Sequence, residues 1–285
     1  MYKEHECFHP PEDRDARIWR YMDLPKLLSI FDQERIFFPR RSALQDPFEG
    51  FYDEDTSVKV TEYSKKAFQE QHARLGLPPD IMDKIHPEQA HEKALLEIYP
   101  HKAEEIKRFF LSLRPYSFTD FVCISSWHIS EHESDAMWNL YAERGKGVAV
   151  VSTFSKLCRA FHVSNTDVFI GTVKYIDYQK DRIPFPSNSF EPLLHKRKSF
   201  EHEHELRAIV LDNTHFVKNS DLLGTKSGVY VPVDIEDLVD AIYIAPITEA
   251  WFENLIQNLM RRFHLEKIPI IKSKLNLPPS WPLLV

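Results

Sequence analysis

Apolar and polar residues alternate through Ile18-Trp19-Arg20-Tyr21, which predicts a short strand. Asp23 follows as a helix cap, with Pro25 in the first turn, where a missing N–H costs nothing. Leu27, Leu28, Ile30 and Phe31 supply one apolar face, and Ile36-Phe37-Phe38 returns as a strand. The chain therefore opens on a strand-helix-strand unit. Gln45-Asp46-Pro47-Phe48-Glu49-Gly50 then reads as a turn, because proline fixes its own φ and restricts Asp46 while Gly50 releases the chain. From Thr61 to about Leu113 the composition shifts to Lys, Glu, Gln, Ala and Leu, punctuated by Pro78-Pro79, Pro87 and Pro100. Several short helices are expected there.

Phe118 to Ser126 reads as a buried strand, and Ser134 caps a helix to about Glu143, with Asp135 near its positive end and Gly145 as the expected C-cap. Gly147 to Val151 and Val168 to Tyr175 are further strands, and Pro184 to Pro192 is a loop or edge crossing. Glu205 to Leu211 alternates Leu206, Ala208 and Val210 against Glu205, Arg207 and Ile209, with Gly228 to Val233 as its expected neighbour. Ala241 to Ala245, a helix capped by Thr248, and Ile268 to Ile271 form a βαβ crossover, right-handed by rule. The fold class is α+β: a mixed central sheet with flanking helices, a mostly helical insertion or subdomain over 61–115, and a C-terminal βαβ unit. One domain, 1–285, is expected to hold all of it.

Composition narrows the function classes. A length of 285 residues fits one large domain, and 43% hydrophobic residues including 20 Phe can bury a sizeable core, which excludes a disordered chain. Lys and Arg number 36 against 43 Asp and Glu, a net charge of -7 that disfavours nucleic-acid binding through a basic surface and leaves room only for a local groove. Seven Gly beside 19 Pro, with neither GxGxxG nor GxxxxGK[ST], argue against a Gly-rich phosphate loop. Cys7, Cys123 and Cys158 form neither a disulfide framework nor a CxxC pair, which fits a reducing cytoplasm. The opening MYKEHECFHPPEDRDAR lacks the apolar core of a signal peptide, and no run of 18 apolar residues follows. A cytoplasmic location away from membranes is the expectation.

The densest polar run entering a strand is Lys196 to Arg207. If it is extended from Glu201, then Glu201, Glu203, Glu205 and Arg207 share one face and His202 and His204 the other. Three like charges on a face repel unless cations or a ligand answer them. Either the run is a solvated edge, or at least one of the carboxylates Glu201, Glu203 and Glu205 sits in a cleft as a general base or electrostatic stabiliser held by Arg207. His128 and His132 are four apart, but Ile129-Ser130 and the Ser134 cap place them in a loop, and no third ligand stands at a telling distance; no metal site is expected. In the Met137-Trp138-Asn139-Leu140-Tyr141 helix the aromatics either face the core or give a stacking wall, Trp138 or Tyr141, with Lys146 reaching a phosphate. Arg20 is either a surface cation or, in a cleft, an anchor for phosphate or carboxylate. Ser125 and Cys123 lack a nucleophile context.

The order and spacing of these segments resemble an uncharacterised bacterial family, the domain of unknown function numbered 2971. The resemblance rests on Trp19-Arg20-Tyr21, Asp46-Pro47-Phe48-Glu49, Cys123-Ile124-Ser125, Met137-Trp138-x-x-Tyr141-Ala142, Gly147-Val148, Val173-x-Tyr175, Glu203-x-Glu205-x-Arg207 and the terminal strand-helix-strand, and spans roughly Ile18 to Leu275. Gln45 departs from it, since the family usually has Asn before Asp-Pro. The family name carries no activity. Its motif order is loosely similar to ADP-ribosyltransferase-like folds, although their Ser-Thr-Ser strand motif is absent here. By that similarity Arg20 would hold the pyrophosphate of NAD, Tyr141 or Trp138 would stack on nicotinamide, and Glu205 or Glu203 would stabilise an oxocarbenium-like ribose. Tyr21 and Asp46 enter the ligand-binding set with the motifs that contain them.

Three classes stay open. One is an NAD-consuming transferase or glycohydrolase, with NAD as substrate and no resident cofactor called for. Another is a nucleotide- or nucleic-acid-processing enzyme of a defence system using His204, Glu205 and Arg207. The third is a non-catalytic sensor or interaction module, in which the charged run is a structural network. A small nucleotide is the expected ligand, and convergence of Arg20, Tyr141 and Glu205 on one pocket would favour an enzyme.

Overall fold

The computed structural model describes residues 1–44, 46, 49–74, 121–142, 145–185, 188–212, 214 and 220–276. The first unit forms as its pattern dictates: strand β1 (Arg17–Asp23), helix α1 (Leu24–Gln33) and strand β2 (Arg35–Pro39). Asp23 accepts the N–H of Lys26 as N-cap, Pro25 lies in the first turn, and Leu27, Ile30 and Phe31 are the buried face of α1. Helix α2 (Glu54–Arg74) begins seven residues before Thr61, and the expected helices beyond Arg74 lie outside the described residues. After strand β3 (Val122–Ile129) comes α3 (Asp135–Tyr141), whose first turn is capped by the Ser134 side chain on the N–H of Met137. This helix ends two residues earlier than its pattern suggests, because Ala142, not Gly145, is the C-cap and has already turned extended.

Strand β4 (Gly147–Thr153) runs into α4 (Phe154–Ala160), capped by Thr153. The single strand expected from Val168 to Tyr175 is two, β5 (Phe169–Thr172) and β6 (Lys174–Ile176), which join different sheets on either side of Val173. Then follow β7 (His195–Arg197), β8 (Glu205–Leu211), β9 (Leu223–Thr225), β10 (Gly228–Pro232), α5 (Ile235–Leu238), β11 (Ala241–Ile244), α6 (Ala250–Arg262) and β12 (Ile270–Lys272). The N-cap of α6 is Glu249; Thr248 instead donates its hydroxyl to the Ala245 carbonyl.

The α+β architecture is as expected, with a seven-stranded sheet in the order β12-β11-β4-β1-β3-β8-β5. It is mixed, because β11 and β12 are parallel across the α6 crossover and the other pairs are antiparallel. One expected pairing does not form: β10 leaves β8 and joins β2 and β9 in a three-stranded sheet. That small sheet contributes Ile36, Phe38, Val229 and Val231 to the main core, where they meet Ile18, Met22, Trp127, Leu206 and Ala208. Burial of this apolar surface is the main force holding the two sheets together.

The opposite face of the large sheet carries smaller apolar clusters. Trp19 and Tyr21 pack with Met137 and Trp138 of α3, while Ile124 and Ile209 pack with Phe8, Phe190 and Leu193. On this face the ladder places Trp19 beside His128 and His128 beside Glu205, with Ser126 beside Arg207 one pleat along. A polar row is thus set between two apolar clusters.

A candidate carboxylate-pair centre

Strand β8 presents Glu205 and Arg207 on that face by simple alternation. Upstream, the backbone departs from the extended run considered above: Lys198–Glu203 is a 3-10 helix, and His204 turns through the left-handed region at φ 39° before β8 starts. Four charged side chains in a line would leave three carboxylates side by side; the turn folds Glu203 back over β7. There the Lys196 ammonium meets Glu203, Glu205 Oε1 at 2.5 Å and Glu49 Oε1 at 3.1 Å.

Arg207 closes the other side. Its Nε donates to Glu205 Oε2 at 2.6 Å, one terminal nitrogen to Glu49 Oε1 at 2.6 Å, and the other to the Leu193 carbonyl at 2.6 Å. Glu49 is delivered by the turn at Gly50, whose φ of 74° suits glycine and whose missing side chain leaves room for Leu193 Cδ2, 2.8 Å from where a Cβ would stand. Ser126 donates to Glu205 Oε2 at 3.2 Å, and Tyr141 of α3 donates to Glu203 Oε1 at 2.7 Å. The Glu205 N–H donates to the Tyr175 hydroxyl at 2.8 Å. All five charged members are buried, Arg207 fully.

Three carboxylates face two cations here, and one added proton evens the count. Glu203 takes it: burial and its hydrogen bond with Glu205 raise its carboxyl from the ordinary range to about 7, against the pull of Lys196. Burial acts on Glu205 in the same direction, but Arg207, the hydrogen bond with Glu203 and Lys196 outweigh it and hold that carboxyl well below the usual range. The two glutamates are driven apart in acidity by their surroundings, the usual way in which one site obtains an acid and a base together. Glu205 also reaches a cleft lined by Ile129, Thr172, Val173, Tyr175, Glu201 and His204.

The proton carries a stability signature. Because the folded-state pKa of Glu203 is raised, its contribution is complete below about 4.5 and is lost as the pH rises towards about 7. Replacing Glu203 by Gln is expected to remove that decline, so that the stability difference between wild type and variant shrinks or changes sign between about pH 5 and about pH 8 in urea titrations. The same difference at both pH values would show that Glu203 does not carry the proton.

Of the residues singled out in the sequence, the structure brings Glu203, Glu205, Arg207 and Tyr141 together. Arg20 lies on the opposite face of the sheet, with Ile18 and Met22, at the point where β1 and β3 diverge. It donates to Ser125 Oγ and, at 3.0 Å, to the Phe37 carbonyl, with its guanidinium 5.6 Å from the Trp127 ring. Burial lowers its pKa to about 10. The convergence of Arg20 with Tyr141 and Glu205 on one pocket is therefore not what the fold produces. Trp138 is fully buried, its indole N–H on Glu133 at 3.1 Å and its ring edge-on to Tyr21 at 4.9 Å, so it offers no stacking wall. Tyr21 is buried too, its hydroxyl accepting the Ser134 N–H at 2.9 Å. Asp46 is buried against Arg197, which reaches it through Nε at 3.1 Å and a terminal nitrogen at 2.8 Å. Lys146 is exposed just before β4.

Glu49, Tyr175, Ser126 and His128 were not legible as partners, since each arrives from another element of the chain, and Lys196, although it opens the same polar run, meets the glutamates only through the 3-10 turn. Among the described residues, His162, Asp234 and Asp237 bring ligand atoms within 4.8 Å of one another. Asp234 there caps α5 and Asp237 pairs with Arg159 at 2.8 Å, so those carboxylates already have structural partners. Neither His128 with His132 nor His202 with His204 enters such a group. None of the described helices is long and apolar enough to cross a membrane.

The polar centre draws most of its side chains from one stretch of sequence. Residues 137–208 match the family model described as a protein of unknown function, DUF2971. The match supports the family resemblance read from the sequence, over a shorter span than Ile18 to Leu275. The DUF2971 segment runs from α3 through β8 and contains Tyr141, Tyr175, Lys196, Glu203, Glu205 and Arg207, with Glu49, Ser126 and His128 supplied from outside it. No curated protein matches the chain.

Proposed function

We propose that the Glu203 and Glu205 pair is the acid–base centre of an enzyme that cleaves the N-glycosidic bond of NAD, as a glycohydrolase or transferase. The observation that carries this reading is geometric: two adjacent carboxyls share Lys196, only Glu205 is also held by Arg207, and Glu205 reaches a cleft. Glu205, held ionised, faces the positive charge that grows on the ribose as the bond to nicotinamide stretches; Glu203, titrating near neutrality, shares its proton with Glu205 within the pair. The described lining of the cleft includes the side chains of Glu201, His204 and Glu205 and neither lysine nor arginine, which suits the cationic nicotinamide-ribose end of NAD and not its pyrophosphate. The pyrophosphate role considered for Arg20 is absent from this proposal, because that side chain lies across the sheet.

A second reading has its own supporting observation. Both oxygens of Glu203 and both of Glu205 already have partners, as a purely structural ion-pair network or an interaction module would require. Release of nicotinamide from NAD by the purified wild-type chain separates the two. Turnover supports the enzyme, whereas a folded protein that releases none and does not bind NAD supports the module.

A further inference from the structure

His128 stands in the same row as Glu205, directly across from it on β3, yet has no part in the ion-pair network. Its Nδ1 lies 2.6 Å from the backbone carbonyl of Glu203. A carbonyl oxygen only accepts, so Nδ1 carries the hydrogen and, in the neutral ring, Nε2 keeps its lone pair. The ring sits between Tyr21, with centroids 6.3 Å apart, and His204 of the cleft wall, at 6.1 Å. Among the described residues its Nε2 has no hydrogen-bond partner. Nε2 is therefore an acceptor without a partner among the described residues, on a side chain that is 4% exposed, oriented from behind and set against His204 of the cleft wall.

We infer that His128 is the general base of this centre, taking through Nε2 the proton of the water or hydroxyl that attacks the ribose carbon. The inference rests on the acid–base reading of the glutamate pair. In the hydrolytic case the bond between ribose carbon and nicotinamide nitrogen breaks with its electron pair going to nitrogen. The water oxygen bonds to that carbon, one water proton passes to Nε2, and the imidazolium returns it to solvent. The fixed tautomer resembles the arrangement of other catalytic imidazoles, in which a hydrogen bond at one nitrogen keeps the other basic. Burial, with His204 and His202 nearby, lowers the pKa of His128, the Glu203 carbonyl opposes this, and the ring stays neutral at neutral pH. Its other titratable neighbours among the described residues include Tyr21 on β1 and Glu205 across the ladder on β8.

Two measurements test this. Ring-nitrogen NMR of wild type at neutral pH is expected to show Nδ1 protonated and Nε2 bare; a protonated Nε2 overturns the inference whatever the protein's activity. His128→Asn keeps an N–H for the Glu203 carbonyl and removes the base, and is expected to lower kcat by about 10²–10⁴-fold and to abolish the acid limb of kcat/KM. Unchanged kcat and an unchanged acid limb overturn it. A wild type that releases no nicotinamide instead defeats the NAD reading, and the ring spectrum alone then decides whether His128 is an available base.

Discussion

Replacing Arg207 by Met is expected to destabilise the fold by about 3–5 kcal/mol, the size of effect seen when one member of a buried ion pair is removed and its partner stays charged. Met preserves much of the length and volume of the side chain but leaves Glu205 and Glu49 facing each other with only Lys196 between them. The Leu193 carbonyl loses its donor as well. The loss should be partly recovered in Arg207→Met combined with Glu205→Gln, since the stranded charge is then gone; equilibrium urea unfolding of the four proteins of this cycle measures the coupling. Additive losses would mean that the guanidinium contributes packing alone.

Glu205→Gln is expected to leave the protein folded and to reduce nicotinamide release from NAD by at least about 10²-fold, with most of the loss in kcat, because a charge that meets developing positive charge acts in the transition state. The amide keeps the shape of the side chain and can still accept from Arg207 and Ser126. Lys196 then pairs with Glu203 and Glu49, so Glu203 should become more acidic in the variant, as the carboxylate beside it has gone. Equal rates for wild type and variant, with the variant shown to be folded, would remove Glu205 from the chemistry. A loss confined to KM would place it in binding.

Elements with a strong local pattern were legible from the chain. The Asp23 and Ser134 caps, the apolar face of α1, the alternation in β8 and the strand-helix-strand ending in β12 each follow from interactions within a few residues. What failed was pairing. β10 has the composition of a strand that could sit beside β8, and only packing against the main sheet sends it to a separate sheet with β2 and β9.

The candidate site divides along the same line. Alternation placed Glu205 and Arg207 on one face, and the Glu-x-Glu-x-Arg spacing drew attention to the right strand. It could not show that Glu203 reaches the pair from a 3-10 turn, because no local rule requires His204 to adopt a positive φ. Lys196 and Glu49 are separated from Glu205 by 9 residues and by most of the chain respectively, and their meeting is a product of tertiary structure. Arg20 misled for a related reason. A strand has two faces, and which one carried the site was set by β3 and β8, not by β1.

The most direct test of the account is a pH titration of the Glu203 and Glu205 carboxyl carbons by NMR in the intact protein. The account predicts that the pair holds a single proton at acid to neutral pH, with Glu203 titrating near about 7 and Glu205 remaining ionised far below the normal carboxylate range. Two carboxyls titrating together near about 4.3 would contradict it, leaving an ordinary pair of glutamates.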